Sequence, residues 1–235
     1  MPVILPNGIP ANERLLDENI FVMSPDRART QDIRPLRILA LNLMPTKITT
    51  ETQIARLLAN SPLQVELTLL QTASHYKTFD DIEDERFDGM IITGAPVEQL
   101  DFHEVNYWEE LKGIFDWSLT HVYSTLHVCW GAFAALWHHY GIRKHPLAEK
   151  LFGIFEHEVL RPSNPLVRGF DDRFFVPHSR HTGLNLKDLA AVPALRVLAS
   201  GRRTGPFLLS TENGRQIFVT GHPEYDLFTL DAEYR

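Results

Sequence analysis

The chain has 235 residues, of which 44% are hydrophobic and 23% charged, enough for one sizeable α/β domain or two small ones. The formal net charge is −7 and no basic patch stands out, so a nucleic-acid partner is not expected. One cysteine excludes an intramolecular disulfide and is typical of a reducing cytosol. The first residues lack the features of a signal peptide and no apolar run could span a bilayer, so we predict a cytoplasmic protein without a membrane partner.

The predicted elements begin after an N-terminal segment punctuated by prolines. We expect residues 1–35 to form an irregular arm and residues 36–235 to form the core of a single domain. The near-continuous apolar run 36–43 is typical of a buried parallel strand, and a helix follows from Thr49. Further strands are predicted at 65–70 and 89–93, and a further helix at 104–118. Strands that alternate with helices indicate an α/β fold with a mostly parallel, doubly wound sheet.

A single thiol, Cys129, stands at a predicted strand-to-helix turn. It follows the apolar run 122–128 and precedes the helix-like stretch 130–136. A helix N-terminus stabilises an anion, and this kind of turn exposes the nucleophile of many hydrolases. A lone cysteine is more often a small buried hydrophobe. The position of Cys129 at the turn, together with the residues described next, favours a nucleophile instead.

The hydrophobic pattern of the sequence changes in the second half of the chain. From Leu151 onward short apolar runs are separated by turn residues, and the segment 212–215 is predicted to be a hairpin turn. We therefore expect antiparallel strands here, the last of which ends just before His222 and Glu224. A thiol, an imidazole and a carboxylate are the parts of an activated nucleophile. One domain is predicted because Cys129 and His222 must meet.

Histidines elsewhere in the chain are possible metal ligands. His178 and His181 flank Ser179 and Arg180, but no third ligand accompanies them at a spacing typical of a metal site. We therefore predict no metal site.

In seven stretches the chain resembles the homoserine O-acyltransferase family of methionine biosynthesis, which includes O-acetyltransferases and O-succinyltransferases. These stretches run in order along nearly the whole chain and are specific only in combination. They are 19–23, 33–36, 41–45, 93–96, 128–130, 177–180 and 220–226. The resemblance implies a class I glutamine amidotransferase-like fold. It also implies transfer of an acyl group from an acyl-coenzyme A (acyl-CoA) to the hydroxyl of an amino acid, through a thioester and by ping-pong kinetics.

The resemblance assigns roles to individual residues of this chain. Cys129 matches the acylated nucleophile, His222 the general base and Glu224 the partner of the histidine. Lys150 and Ser179 match positions that contact the amino-acid substrate, although Ser179 could instead satisfy its own backbone as a loop hydroxyl.

Backbone N–H groups complete the predicted machinery. Those of Trp130, Gly94 and Ala95 are expected to hold the oxyanion. Lys47 matches a lysine region near the site, and a role in the site and a solvated surface position stay equally open for it.

Glu98 is the predicted determinant of the acyl donor. Family members with a small residue at this position favour succinyl-CoA, and those with glutamate favour acetyl-CoA. A carboxylate beside the acyl pocket would repel the free carboxylate of a succinyl group and fill its space. An exposed loop glutamate is the alternative interpretation. We therefore predict acetyl-CoA as co-substrate, with no bound cofactor.

The acceptor and the exact activity are left with alternatives. O-acetylation of homoserine is favoured. The alternatives on the same site are O-acetylation of serine, in cysteine biosynthesis, and O-succinylation of homoserine. Alternatives from other classes are an amidotransferase-type hydrolase and a non-catalytic binding protein. Phe133 and Arg143 replace a polar residue and a proline common in the family, and Phe133 could alter the acceptor pocket. The family also has further residues between the positions of His75 and Tyr76, and a substrate-binding arginine one position beyond Arg235. A homodimer is expected from the resemblance alone.

Overall fold

A computed structural model describes residues 3–70 and 77–235, and the boundary between His75 and Tyr76 lies outside these ranges. The strands of the described residues are β1 Val3–Ile4, β2 Val22–Met23, β3 Leu36–Leu41, β4 Val65–Leu70, β5 Phe87–Ile92, β6 Val122–Val128, β7 His145–Val159, β8 Arg173–Gly183, β9 Leu195–Gly201, β10 Gly205–Thr211 and β11 Gln216–Val219. The α-helices are α1 Ala11–Asp17, α2 Pro25–Arg29, α3 Lys47–Ala59, α4 Trp108–His121, α5 Trp130–Tyr140, α6 Leu186–Ala190 and α7 Thr229–Tyr234.

These strands form one sheet in the order β2-β1-β4-β3-β5-β6-β11-β10-β9-β7-β8. Neighbouring strands from β2 to β11 in that order run parallel, and those from β11 to β8 run antiparallel. The predicted fold class, a mostly parallel sheet with flanking helices and an antiparallel C-terminal part, is confirmed.

The N-terminal segment is more regular than the sequence predicts. β1 lies between β2 and β4 and extends the parallel sheet at its edge, with Val3 paired to both Val22 and Val65. The helix α1 buries Leu15 in the apolar cluster that also contains Val3. The expectation of an irregular arm is therefore wrong for β1, β2 and α1. A strand of two residues is too short to show the alternation of polar and apolar residues that identifies a strand, and nearby prolines obscure the pattern further.

The helix α5 lies in the main core. Its residues 130–136 are all buried, and a helix that is apolar all round belongs in the interior. The helix ends at Tyr140 and is capped by Gly141, which adopts a left-handed conformation with φ 68°. Among the helices in the described ranges, none is long and apolar enough to cross a membrane.

A buried histidine in β6 makes the stability of the fold depend on pH. His127 is fully buried, stacks on Phe218 with ring centroids 5.0 Å apart, and shares a 2.8 Å hydrogen bond with Gln216. Burial lowers the pKa of His127 to about 3, from an ordinary value of 6.5. Below pH 6.5 the unfolded chain therefore takes up a proton that the folded chain refuses, and stability falls with falling pH.

We expect His127→Gln to be less sensitive to acid than the wild type. The amide keeps a polar group for Gln216 but does not titrate. Between pH 6 and pH 4 the wild type should lose about 1.4 kcal/mol of unfolding free energy per pH unit more than the variant. Urea unfolding at several pH values measures the two slopes, and equal slopes would show that His127 is not the group responsible.

Candidate active site

The register of the sheet places the predicted catalytic residues at one edge. β6 pairs in parallel with β11, so that Val128 lies opposite Val219, and on its other side β6 pairs with β5. Cys129 follows β6 directly and His222 follows β11 after a short turn. Because parallel strands end at the same edge of a sheet, these residues and the loop after β5 meet in space, at the edge where ligands bind in open α/β sheets.

The backbone at Cys129 makes the sharp turn that the sequence predicts. Its φ and ψ are 49° and −116°, a conformation that residues with a side chain rarely adopt. The turn is held by a 2.8 Å hydrogen bond from the Cys129 N–H to the Val219 carbonyl. Gly131 lets α5 approach β5, because a Cβ there would lie 2.6 Å from the Thr93 carbonyl oxygen. The thiol is thus fixed at the N-terminus of α5, with 7% of the residue exposed.

His222 is held between a carboxylate and the thiol. Its Nδ1 lies 2.7 Å from Glu224 Oε1, and a side-chain hydrogen bond joins His222 to Cys129. Its N–H donates to the Pro177 carbonyl at 2.9 Å. The Tyr225 ring stacks on the imidazole at 4.2 Å between centroids, and its hydroxyl donates to Glu233. Sequence reasoning gives Tyr225 no role, although it lies in a motif that carries the resemblance.

The environment of His222 favours its protonated form. Burial alone lowers its pKa, but the negative charges of Cys129 and Glu224, and hydrogen bonds to both, raise it well above the ordinary value. A histidine that carries a proton at this position is suited to pass that proton on to a leaving group. Burial together with the nearby Glu233, Glu224 and Cys129 raises the pKa of Tyr225, so this phenol stays neutral.

Gly94 lies close to Cys129 and to the start of α5. A Cβ built there would lie 3.3 Å from Cys129 Cβ and 3.8 Å from both His222 Cε1 and the Trp130 nitrogen. The first N–H groups of a helix have no acceptor within the helix, and Trp130 begins α5. The backbone of Gly94 and the N–H of Trp130 therefore lie beside Cys129, where the sequence analysis predicts the oxyanion site.

A cavity of about 620 Å³ opens over this constellation. A volume of this size is typical of small-molecule sites. Its lining includes seven of the predicted site residues, namely Gly94, Ala95, Glu98, Cys129, Lys150, Ser179 and His222, and also His181. Lys47 is not among the lining residues. Its half-buried ammonium donates to the Asn42 carbonyl, and burial lowers its pKa.

Glu98 is fixed inside this cavity by the strand β8. One carboxylate oxygen accepts the His181 N–H at 2.7 Å, and the other accepts the Thr182 hydroxyl at 3.3 Å. Its carbonyl oxygen accepts a hydrogen bond from the ammonium of Lys144. The carboxylate is therefore held in place by two hydrogen bonds, and a freely exposed loop position does not describe it.

A buried arginine lies behind the site, and sequence reasoning missed it. Arg180 is 1% exposed and donates to His178 Nδ1 at 3.3 Å, to the Thr204 carbonyl at 2.6 Å and to the Thr182 carbonyl. Burial lowers its pKa, while the negative charges of Cys129 and Glu98 raise it. Within the described ranges Arg180 makes no ion pair, and its hydrogen-bond acceptors are the neutral groups named above.

Two further predicted residues lie outside the cavity lining. His178 is fully buried, 3.1 Å from His157 between Nε2 atoms, and burial with the nearby Arg180 lowers its pKa to about 2. It does not converge with His181, which faces the cavity. Phe133 is fully buried, with Arg180 Cζ 6.0 Å from its ring centre, and it does not line the cavity.

Comparison with known proteins identifies the family. The profile of the homoserine O-succinyltransferase family matches residues 2–235. The chain belongs to this family. Homoserine O-acetyltransferase of Acetivibrio thermocellus is 57% identical over 247 residues, covering 100% of this chain and 81% of that protein. The proteins of the same name from Brevibacillus brevis and Bacteroides thetaiotaomicron are 56% and 54% identical, with the same coverage. The predicted resemblance and the assignment as an acyltransferase are confirmed.

Solved structures confirm the fold of this family member. A glutamine amidotransferase from Thermotoga maritima superposes with a TM-score of 0.62 at 14% identity, covering 81% of this chain and 77% of that one. A glutamine amido transferase from Methylobacillus flagellatus superposes with a TM-score of 0.57 at 11% identity, covering 86% and 75%. At such identities the likeness concerns the fold, and the predicted class I glutamine amidotransferase-like architecture is confirmed.

Proposed function

We propose that this acyltransferase moves an acetyl group from acetyl-CoA to the side-chain hydroxyl of L-homoserine, in methionine biosynthesis. The observation that carries the proposal is the hydrogen-bonded series Cys129, His222 and Glu224, in which Cys129 and His222 line one cavity with the fixed carboxylate of Glu98. The names of the relatives, which are 53–57% identical, support both the donor and the acceptor.

The first half of the proposed reaction acylates the thiol. Cys129 Sγ attacks the thioester carbonyl of acetyl-CoA, and the carbonyl oxygen becomes an oxyanion held by the N–H groups of Trp130 and of Gly94 or Ala95. The carbon–sulfur bond to CoA then breaks, and His222 gives its proton to the departing CoA thiolate. The products are acetyl-Cys129 and free CoA.

The second half transfers the acetyl group to the acceptor. His222, now neutral, takes the proton of the homoserine hydroxyl while that oxygen attacks the acetyl-Cys129 carbonyl. The oxyanion again occupies the same N–H groups, and the Cys129 thiolate leaves. Glu224 holds the imidazole in position and stabilises its charged form through the 2.7 Å contact at Nδ1. We assign the amino-acid end of the acceptor to Lys150 and Ser179, which line the cavity.

Kinetics with four substrate pairs test this function. Acetyl- or succinyl-CoA is combined with homoserine or serine, and kcat/KM is compared. We expect the highest value for acetyl-CoA with homoserine, since Phe133 lies outside the cavity lining and leaves the acceptor pocket unaltered. A higher value with serine would assign the chain to serine O-acetylation, and a higher value with succinyl-CoA would reject acetyl-CoA as the donor.

A substitution at Glu98 tests the choice of donor. Glu98→Gly should raise the succinyl-to-acetyl ratio of kcat/KM by about tenfold or more, because like charges placed together cost several kcal/mol and each 1.36 kcal/mol is a factor of ten. Glu98→Gln is the matched control. It keeps the acceptor for the His181 N–H and nearly the same volume but removes the charge. A gain in both variants indicates repulsion, a gain in Glu98→Gly alone indicates volume, and an unchanged ratio in both rejects the assignment.

The proposal needs only small molecules as partners, namely the acyl-CoA donor and a hydroxy amino acid. It places no tightly bound cofactor in the cavity. The homodimer and the cytoplasmic location stay predictions, the latter supported by the single cysteine, whose thiol must remain reduced to react.

A further inference from the structure

A second cavity adjoins the one over Cys129. Its volume is about 780 Å³, and Glu98, Gln99 and His181 line both cavities. Glu98 and Gln99 therefore form a common border. A ligand whose reactive end lies over Cys129 could extend past this border into the second cavity, which makes the second cavity the natural place for the rest of a long substrate.

The wall of the second cavity combines aromatic rings with cations. The rings of Phe102 and Trp137 are stacked, with centroids 6.2 Å apart and planes at 16°. The guanidinium carbon of Arg143 lies 5.7 Å from the centre of the Trp137 ring. The ammonium of Lys144 lies 4.6 Å from the centre of the Phe102 ring. Each cation is thus held against an aromatic face.

The two cations have different surroundings. Lys144 donates to the carbonyl oxygens of Glu98 and Leu100. Burial lowers its pKa, while the carboxylates of Asp101, Glu98 and Glu104 oppose that change. Its charge is therefore already balanced, and it anchors the loop that carries Glu98 to the start of β7.

The positive charge of Arg143 is not balanced in this way. It is exposed, and in the part of the chain that the structure describes it makes no ion pair. An arginine stacked on a ring keeps the N–H donors at its edge free, and their fork matches a phosphate. Of the acidic residues of the cavity wall, Asp101 forms a capping box with Glu104, and Glu98 accepts from His181 and Thr182. Arg143 is therefore the cation of this cavity that remains open to an anionic ligand.

We propose that the second cavity binds the phosphate-bearing nucleotide end of the acyl-CoA donor, with Arg143 paired to one of its phosphates. The inference rests on the proposed function, which places the thioester of the same molecule over Cys129. Coenzyme A carries its diphosphate and 3′-phosphate at the end opposite the thioester, joined to it by an uncharged pantetheine arm that would pass Glu98 and Gln99.

The test compares donors with and without the nucleotide. Initial rates are measured for wild type and Arg143→Ala with acetyl-CoA and with S-acetylpantetheine. A charge-assisted contact to phosphate is worth about tenfold in binding. We expect the KM for acetyl-CoA to rise about tenfold in Arg143→Ala with kcat unchanged, and the kinetics with S-acetylpantetheine to be the same in both proteins.

Arg161→Ala is the matched control. Arg161 is also exposed, but it follows the far end of the 15-residue strand β7, whose start lies next to Lys144. It should leave both donors unaffected. An unchanged KM for acetyl-CoA in Arg143→Ala, or equal losses with both donors, would overturn the inference while leaving the proposed function intact. If the wild type acetylated homoserine with neither donor, the proposed function itself would fail.

Discussion

Replacing His222 with alanine is expected to lower kcat by about 10²- to 10⁴-fold, the usual contribution of a general acid–base group. The reason is that the imidazole handles a proton in both halves of the reaction, first giving one to CoA and then taking one from the acceptor. His222 is 5% exposed and hydrogen-bonded to both Cys129 and Glu224, so a water molecule cannot readily take over its proton transfer. Steady-state rates with saturating acetyl-CoA and homoserine measure the loss.

Glu224→Gln serves as the graded comparison for His222→Ala. The amide can still contact Nδ1, but it no longer stabilises the imidazolium by charge, so the pKa of His222 should fall and turnover should drop less than in His222→Ala. The pH profile of kcat should shift toward lower pH in the same variant. Near-normal turnover in His222→Ala would mean that another base works in this cavity and would remove the central role of His222.

Replacing Cys129 with alanine should have the largest effect of all and reduce turnover by about 10⁴-fold or more, since a covalent route cannot proceed without its nucleophile. Only one sulfhydryl exists in the chain, so no second cysteine can substitute. The substitution removes one buried atom at the start of α5, and circular dichroism and the unfolding midpoint should stay close to those of wild type. Turnover that persists in a folded Cys129→Ala would indicate direct transfer from CoA to the acceptor.

Much of the sheet can be predicted because buried parallel strands produce local signals. The predicted strand at 65–70 has the observed bounds of β4, and the turn at Cys129 follows from an apolar run that meets a helical one. β1 and β2 are missed because two residues cannot reveal a period. Their pairing is decided by distant partners such as Val65, which no local pattern contains.

The residues of the site likewise differ in how far the sequence predicts them. Cys129, His222 and Glu224 can be located because their residue types and their positions after strands carry the chemistry. The anchoring of Glu98 cannot, because the N–H that holds it belongs to His181, 83 residues later in the chain. Arg180 is missed for a related reason, since a charged residue in a strand is expected at the surface until its neutral acceptors at Thr182 and Thr204 are known.

The thioester is tested most directly by the intact mass of the protein after mixing with acetyl-CoA in the absence of homoserine. We predict that one acetyl group is added to the wild-type chain, that fragmentation places it on Cys129, and that homoserine removes it at a rate compatible with kcat. Cys129→Ala should show no adduct. An acetyl group that persists in Cys129→Ala, or a wild-type adduct that homoserine does not discharge, would contradict the account of transfer through Cys129.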